Sequence, residues 1–456
     1  MDSTVPALPA TGFPSGPSFL SRILHGTLFN VDSPAFYRQN AARYGDISSF
    51  LTPAGYRQFQ FNHPADIEDI LVRDTAHHHR GVVLRRARGI LGDGLLTSEE
   101  PLHLRQRRVV QPAFHRQRLA SYGTEIVRLT QQMTAAWPRQ QGRIEAHAEM
   151  IRLTLRITSR CLLGTDVNPA VQTFVDSMAT FNDYLPFALL PGATLLERLP
   201  IGPMPRMKRA LAALDDLIFG IIAQRRASGV LGDDLLGMML EQAEDDSAAA
   251  NRQVRDEALT LLMAGHETTA NALTFALWLI ARHPEVQTRM AETVQQVCGD
   301  RPPTAADFRG LKYLEQVFSE SMRLYPPAWV VARTAIRDYT TRSGTAIPRG
   351  AHLICSPMLV HRDPRWWPDP DTFNPERFTD EAKSTRPRYA YFPFGGGPRL
   401  CIGEGFAWME AVLMLATVLQ THRLTLPDPT QPSVPLNPKF TIRPRNPVPI
   451  DVSRGQ

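Results

Sequence analysis

The sequence predicts a mainly α protein with a small β-rich lobe, and three features carry that reading. Helical periodicity runs from about residue 101 through 240 and returns at 284–298 and 311–324. Between these blocks a helical pattern extends from about Asn251 to His283, where Pro284 cannot continue the hydrogen-bond ladder. Strand signals are short and lie near the two ends, at Ile47–Leu51 and Tyr56–Phe61 and again past Leu424, where eight prolines by residue 449 favour strands and turns.

Taken in order, residues 1–33 are a proline-rich segment with prolines at 6, 9, 14 and 17. It has no basic start and no apolar run near the roughly 20 residues of a membrane span, so neither a signal peptide nor a membrane anchor is expected. Pro34 to Tyr44 reads as a helix, the two short strands follow, and Pro64 to Val72 reads as another helix. His77, His78 and His79 are adjacent and cannot easily converge on one ion, so they read as a solvated loop. Phe181 to Leu199, rich in Leu, Phe and Pro, has the composition of an access lid over an apolar guest. The 251–283 helix would be roughly 48 Å long, enough to cross a domain. After Pro326 the chain becomes proline-rich and irregular until a helical run from Ile402 to Gln420.

Composition narrows the function classes. A chain of 456 residues with 43% hydrophobic content can bury a large core. Its net charge of +5 is unaccompanied by any basic-aromatic pattern, which speaks against nucleic acid. Cysteines at 161, 298, 355 and 401 show no paired spacing, so a reducing cytoplasm is the simplest compartment.

The chemistry concentrates at Phe394-Gly-Gly-Gly-Pro-Arg-Leu-Cys401-Ile-Gly403. A lone cysteine is most often a small buried hydrophobe. Here it stands at the start of a helical run, where orphan N–H groups and the dipole favour the thiolate. Gly397 and Gly403 would let the backbone curl close to the sulfur. A thiolate so held is a strong ligand for haem iron. The pattern Phe394-x-x-Gly397-x-Arg399-x-Cys401-x-Gly403 resembles the haem-binding loop of the cytochrome P450 family.

Three further segments resemble the same family, in its order, and extend the likeness from about residue 35 to the end of the chain. Ala264-Gly265-His266-Glu267-Thr268-Thr269 lies inside the long helix, where two small residues let a flat macrocycle approach and Thr268 would break the ladder locally to hold a water. Resemblance to the family's acid–alcohol pair implies that Glu267 and Thr268 deliver protons for dioxygen cleavage. A zinc-protease reading fails, because the second histidine it needs is Ala270. Glu320-x-x-Arg323, followed by Phe373-x-Pro-Glu-Arg377-Phe, resembles a structural Glu-Arg-Arg triad of Glu320, Arg323 and Arg377 that would hold the Cys401 loop. In Pro101-Leu-His-Leu-Arg-Gln-Arg-Arg108 the family often has Trp-x-x-x-Arg, whereas this chain has His103 and Arg107 on one helix face. Both match positions on the haem propionates, as do Arg399 and Arg333, since two carboxylates beside an apolar pocket need cationic partners.

What the resemblance implies is a single haem domain over 34–456, built as a triangular helical prism with the long helix above the haem. It implies haem b with Cys401 as axial ligand to the iron, with Ala264, Gly265, Phe394 and Gly403 around it. The implied activity is a soluble, monomeric bacterial monooxygenase that takes electrons from a ferredoxin or flavodoxin with its reductase. One oxygen atom from O2 would enter a lipophilic small molecule such as a fatty acid or terpenoid. Two alternatives stay open: a non-catalytic haem-thiolate sensor, which would not need Glu267 and Thr268, and a peroxide-driven peroxygenase, against which the intact pair argues.

Overall fold

A long amphipathic chain solves its burial problem by wrapping helices around a central one, and here that one is the 35-residue helix Ala248–Arg282, the longest among the described residues. In this computed structural model the described residues are 12–18, 33–52, 55–137, 141–167, 170–188, 202–243 and 247–455. In chain order the main helices are α1 (Ser33–Tyr44), α2 (Val82–Leu91), α3 (Leu102–Val110), α4 (Arg116–Ala135), α5 (Ala146–Leu163), α6 (Val171–Ala188), α7 (Met204–Ala227), α8 (Leu235–Gln242), α9 (Ala248–Arg282), α10 (Pro284–Cys298), α11 (Lys312–Leu324) and α12 (Glu404–Thr421). Local chemistry sets their ends. The Ser247 hydroxyl caps α9 by accepting the Ala250 N–H, and Pro284 terminates it and begins α10. Glu145 caps α5 through the N–H groups of His147 and Ala148, and Gly164, at φ 62°, closes it in the left-handed conformation.

Almost every residue of α9 from Val254 to Ala281 is buried, against α5 on one side and α7, α11 and α12 on others. The helical core is a single cluster that also takes in α4, α10 and the C-terminal strands. A second, smaller core lies under the β lobe. That lobe is a five-stranded sheet in the order β1-β2-β8-β5-β3, formed by Ile47–Leu51, Arg57–Phe61, His352–Cys355, Val331–Ala335 and His78–Arg80. β2 and β8 run parallel and the other neighbours antiparallel, with Phe59 opposite Leu353 and Arg80 opposite Arg333. Strands β4 (Gln141–Glu145), β12 (Pro449–Arg454) and β9 (His422–Thr425) form a second sheet, while β6 (Tyr339–Thr340) pairs with β7 (Ala346–Ile347) and β10 (Leu436–Pro438) with β11 (Ile442–Pro444) in two hairpins.

Several expectations change. The stretch after Pro326 is not irregular, because β5 and β8 form the middle of the large sheet. The His77–His79 run is not a solvated loop: His78 opens β3, is buried, and its Nε2 lies 2.7 Å from the Tyr339 hydroxyl. Helix α12 starts at Glu404, two residues later than expected. The lid expected over Phe181 to Leu199 begins in α6, and its remainder past residue 188 lies outside the described residues. Part of the proline-rich segment is ordered against the sheet, where the Ser49 N–H donates to the Ser15 carbonyl and Phe13 packs edge-on to Phe59.

Candidate active site

The loop before α12 is shaped by one glycine that nothing else could replace. Gly397 sits at φ 66°, and a Cβ there would lie 2.0 Å from the Leu71 carbonyl oxygen. The Leu400 N–H donates to the Gly397 carbonyl and the Cys401 N–H to the Phe394 carbonyl, at 3.0 and 3.1 Å. Gly403 is different: its φ is −88°, and an added Cβ would make only ordinary contacts with Phe114 and the Cys401 sulfur. It is therefore not required by a close approach.

Cys401 opens into a cavity of ≈ 630 Å³ lined by the β lobe, α9 and the Cys401 loop. Every residue expected at the cofactor and proton sites lines it: His103, Arg107, Ala264, Gly265, Glu267, Thr268, Arg333, Phe394, Arg399, Cys401 and Gly403. Surrounding protein pushes the thiol up to about 11, and the Gly403 N–H only partly offsets this. Glu404, the first residue of α12, raises the thiol further, and Arg107 lowers it.

Cationic groups crowd one edge of the cavity. Arg399 donates to the Ser98 carbonyl at 2.8 Å and to Glu99 at 3.1 Å, and Arg107 donates to the Leu400 carbonyl at 2.9 Å. Arg333, from β5, is held down at about 10, mainly by burial. Arg80 was missed by sequence reasoning. It is 8% exposed, its guanidinium donates to the Leu95 carbonyl, and its Nε has no partner among the described residues. Burial, then the charges of Arg399 and Arg333, push it well below its ordinary value. No spacing signal marked Arg80, because strand pairing with β5 brings it to the site across about 250 residues of chain. Four guanidinium groups thus face two carboxylates, Glu99 and Glu100, which leaves an excess that two propionates would neutralise.

His103 behaves differently. It is buried, pushed to about 4 by burial and then by Arg399, and its Nδ1 lies 2.8 Å from Glu100. A neutral imidazole has one N–H, and Glu100 takes it, so the other nitrogen is left an acceptor.

On the opposite wall, α9 runs unbroken through 264–268, without the local rupture expected of it. The Thr268 hydroxyl donates to the Ala264 carbonyl at 2.6 Å instead. Ala264 leaves the wall open, whereas the space beside Gly265 is filled by α5, because a Cβ there would lie 2.9 Å from Thr158 Cγ2. Glu267 turns to the C-terminal hairpin, where the Thr441 hydroxyl donates to its Oε1 at 2.7 Å.

The Glu320, Arg323 and Arg377 side chains do assemble. Arg323 forks onto both oxygens of Glu320 at 2.6 and 2.8 Å, and Arg377 approaches Glu320 at 3.5 Å. Arg323 also donates to the carbonyls of His361, Pro370 and Thr372. From there His361 Nε2 accepts the Phe392 N–H, two residues before the Cys401 loop begins.

The family model described as Cytochrome P450 matches residues 14–450 of this chain. Cyclooctatin synthase of Streptomyces melanosporofaciens is 37% identical over 372 residues, 79% of each chain. Cyclooctat-9-en-7-ol 5-monooxygenase of the same organism is 32% identical over 396 residues, 86% of this chain and 85% of its own. Pentalenene oxygenase of Streptomyces avermitilis is 33% identical over 370 residues, 80% of this chain and 82% of its own.

Proposed function

The chain belongs to the cytochrome P450 family, and from that membership we propose that it inserts one oxygen atom of O2 into a C–H or C=C bond of a lipophilic small molecule, with electrons delivered by a separate ferredoxin or flavodoxin. The observation that carries the reading is that Cys401, Thr268 and the arginine edge open onto one cavity.

Haem bound through the Cys401 thiolate supplies the activation of O2. We take it to be haem b, because the sequence holds no Cys-x-x-Cys-His segment for covalent attachment. The chain's own residues do the rest. Arg80, Arg107, Arg333 and Arg399 bind the propionates and orient the macrocycle, while His103 serves Glu100. Ala264 leaves room for the diatomic guest, and Thr268 and Glu267 hold and pass the proton. Glu320, Arg323 and Arg377 fix the segment that leads into the Cys401 loop.

Much of the rest of the wall is apolar, including Phe36, Phe50, Val82, Val83, Leu95 and Leu96. Such a wall excludes water and suits a hydrocarbon-like guest. Two relatives are named for oxygenating an alkene and an alkenol, which favours an olefinic terpenoid over a fatty acid as the substrate class.

The reduced carbon monoxide complex tests the reading. It should show the far red-shifted Soret band of thiolate ligation, absent from Cys401→Ala, and a spectrum like that of a histidine-ligated globin would overturn it.

A further inference from the structure

Glu267 is the inner end of a hydrogen-bonded chain that crosses three elements. His147 Nε2, near the start of α5, lies 2.9 Å from Asn271 Oδ1. The Asn271 amide nitrogen donates to Thr441 Oγ1 at 3.1 Å, and the Thr441 hydroxyl donates to Glu267 Oε1 at 2.7 Å. Asn182 of α6 approaches the same oxygen at 3.5 Å. Asn271 and Thr441 are 0% and 3% exposed, so bulk water has little access to these bonds. Their directions are fixed in turn: an amide nitrogen can only donate, so Thr441 accepts from Asn271 and spends its single proton on Glu267. Every donor points at the carboxylate.

An amide passes protons poorly, because it would have to adopt its imidic acid form. The chain is therefore built to hold the carboxylate and not to feed it. With Oε1 taken, Oε2 has no protein partner among the described residues, and Glu267 stands in the cavity wall. The other ionisable groups around Glu267 are His266 on its own helix and His147 on α5, with Glu145 and Arg443 beyond His147.

We propose that Thr441, held by Asn271, is a positioning residue for Glu267: it clamps one carboxylate oxygen so that the other is presented to the cavity as the proton-exchanging atom. This rests on the monooxygenase reading and on Glu267 acting in its proton delivery. The clamp also ties the acid to the guest site, since Lys439 and Phe440, in the same turn between β10 and β11, line the cavity. Phe440 packs edge-on to Phe181 of α6 at 5.7 Å, and the Ile442 N–H pins the turn to the Pro327 carbonyl.

Thr441→Val keeps the volume and removes the donor, and Thr441→Ser restores it. In the haem-loaded protein, Thr441→Val should lower product formed per electron roughly fivefold, the factor expected for one buried hydrogen bond, and Thr441→Ser should recover it. A second readout needs no turnover. In difference infrared spectra of the resting protein, the carboxylate band assigned by its loss in Glu267→Gln should shift in Thr441→Val and return in Thr441→Ser. An unmoved band, or unchanged coupling in Thr441→Val while Thr268→Ala uncouples, would overturn the positioning role. Unchanged coupling in both variants would overturn the proton-delivery reading beneath it. Should Thr441→Val fail to retain haem, Asn271→Leu, which frees Thr441 from its donor, carries the same expectations and the same refutations.

Discussion

Thr268 and Arg80 carry opposite kinds of information at the scale of single residues. Thr268 is half-buried and open to the cavity, and among the described residues its hydroxyl bonds only back to its own helix, at the Ala264 carbonyl. It can release that bond to hold a water or a proton without disturbing the fold. Thr268→Ala should therefore keep haem and guest binding while product per electron falls by about tenfold or more, with the missing electrons recovered as peroxide. Unchanged coupling would make Thr268 a packing residue. Arg80 is a buried cation whose Nε has no partner among the described residues, which is costly until a counter-charge arrives. Arg80→Met keeps the apolar stem and removes the charge. The haem-free protein should then melt higher than its parent, while the loaded protein should surrender haem to an apo-acceptor roughly tenfold faster. Equal haem transfer from both would remove Arg80 from the propionate set. The Cys401 loop was readable because its matched positions sit within ten residues. Arg80 was not, because its partners are supplied by β5 and by the segment around Leu95 and Glu99.

Among the elements, the loop after α2 is clamped to α9 by two neighbouring carboxylates. Asp256 accepts the Asp93 N–H at 2.8 Å and Glu257 accepts the Leu95 N–H at 3.0 Å, while Leu95 and Leu96 line the cavity. Burial first, and Asp256 second, push Glu257 up from 4.5 to about 7, against the pull of the Leu95 N–H. The folded protein thus binds this proton more tightly than the unfolded chain does. Stability from Glu257 is then present below about pH 4.5 and lost as pH rises to about 7, by up to ~3 kcal/mol. Glu257→Gln keeps an oxygen for the Leu95 N–H and has no charge to bury. It should match its parent near pH 5 and melt higher near pH 8, and an equal melting difference at both pH values would refute the assignment. The Glu320 network makes the opposite demand. Its fully buried carboxylate is paired, so Glu320→Gln should cost about 3–5 kcal/mol by leaving Arg323 unbalanced, measurable as lost denaturant resistance. Helix α9 was legible because its pattern and its terminating proline are local. Strands β5 and β8 were not, because β8 finds its parallel partner β2 about 290 residues earlier and prolines dominate the stretch around them.

At the scale of the whole molecule, the cavity lies where the β lobe meets the helical body, so both lobes must be in place before the site exists. Among the described residues no helix is long and apolar enough to cross a membrane. Electrons delivered by a separate protein would have to enter near the Cys401 loop. Arg107 ties α3 to that loop through the Leu400 carbonyl, and beside it Arg105, Arg108 and Arg116 are exposed. An acidic ferredoxin would be drawn to such a face, and the attraction must weaken as the screening length falls from about 10 Å at 0.1 M salt to about 3 Å at 1 M. Reduction by a competent ferredoxin should accordingly slow steeply with salt. Arg105→Glu combined with Arg108→Glu should slow it at low salt and flatten the salt dependence. Binding of a lipophilic guest in the cavity, which does not depend on these surface charges, should change little in either case. A reduction rate indifferent both to salt and to the two charge reversals would place the electron entry on another face.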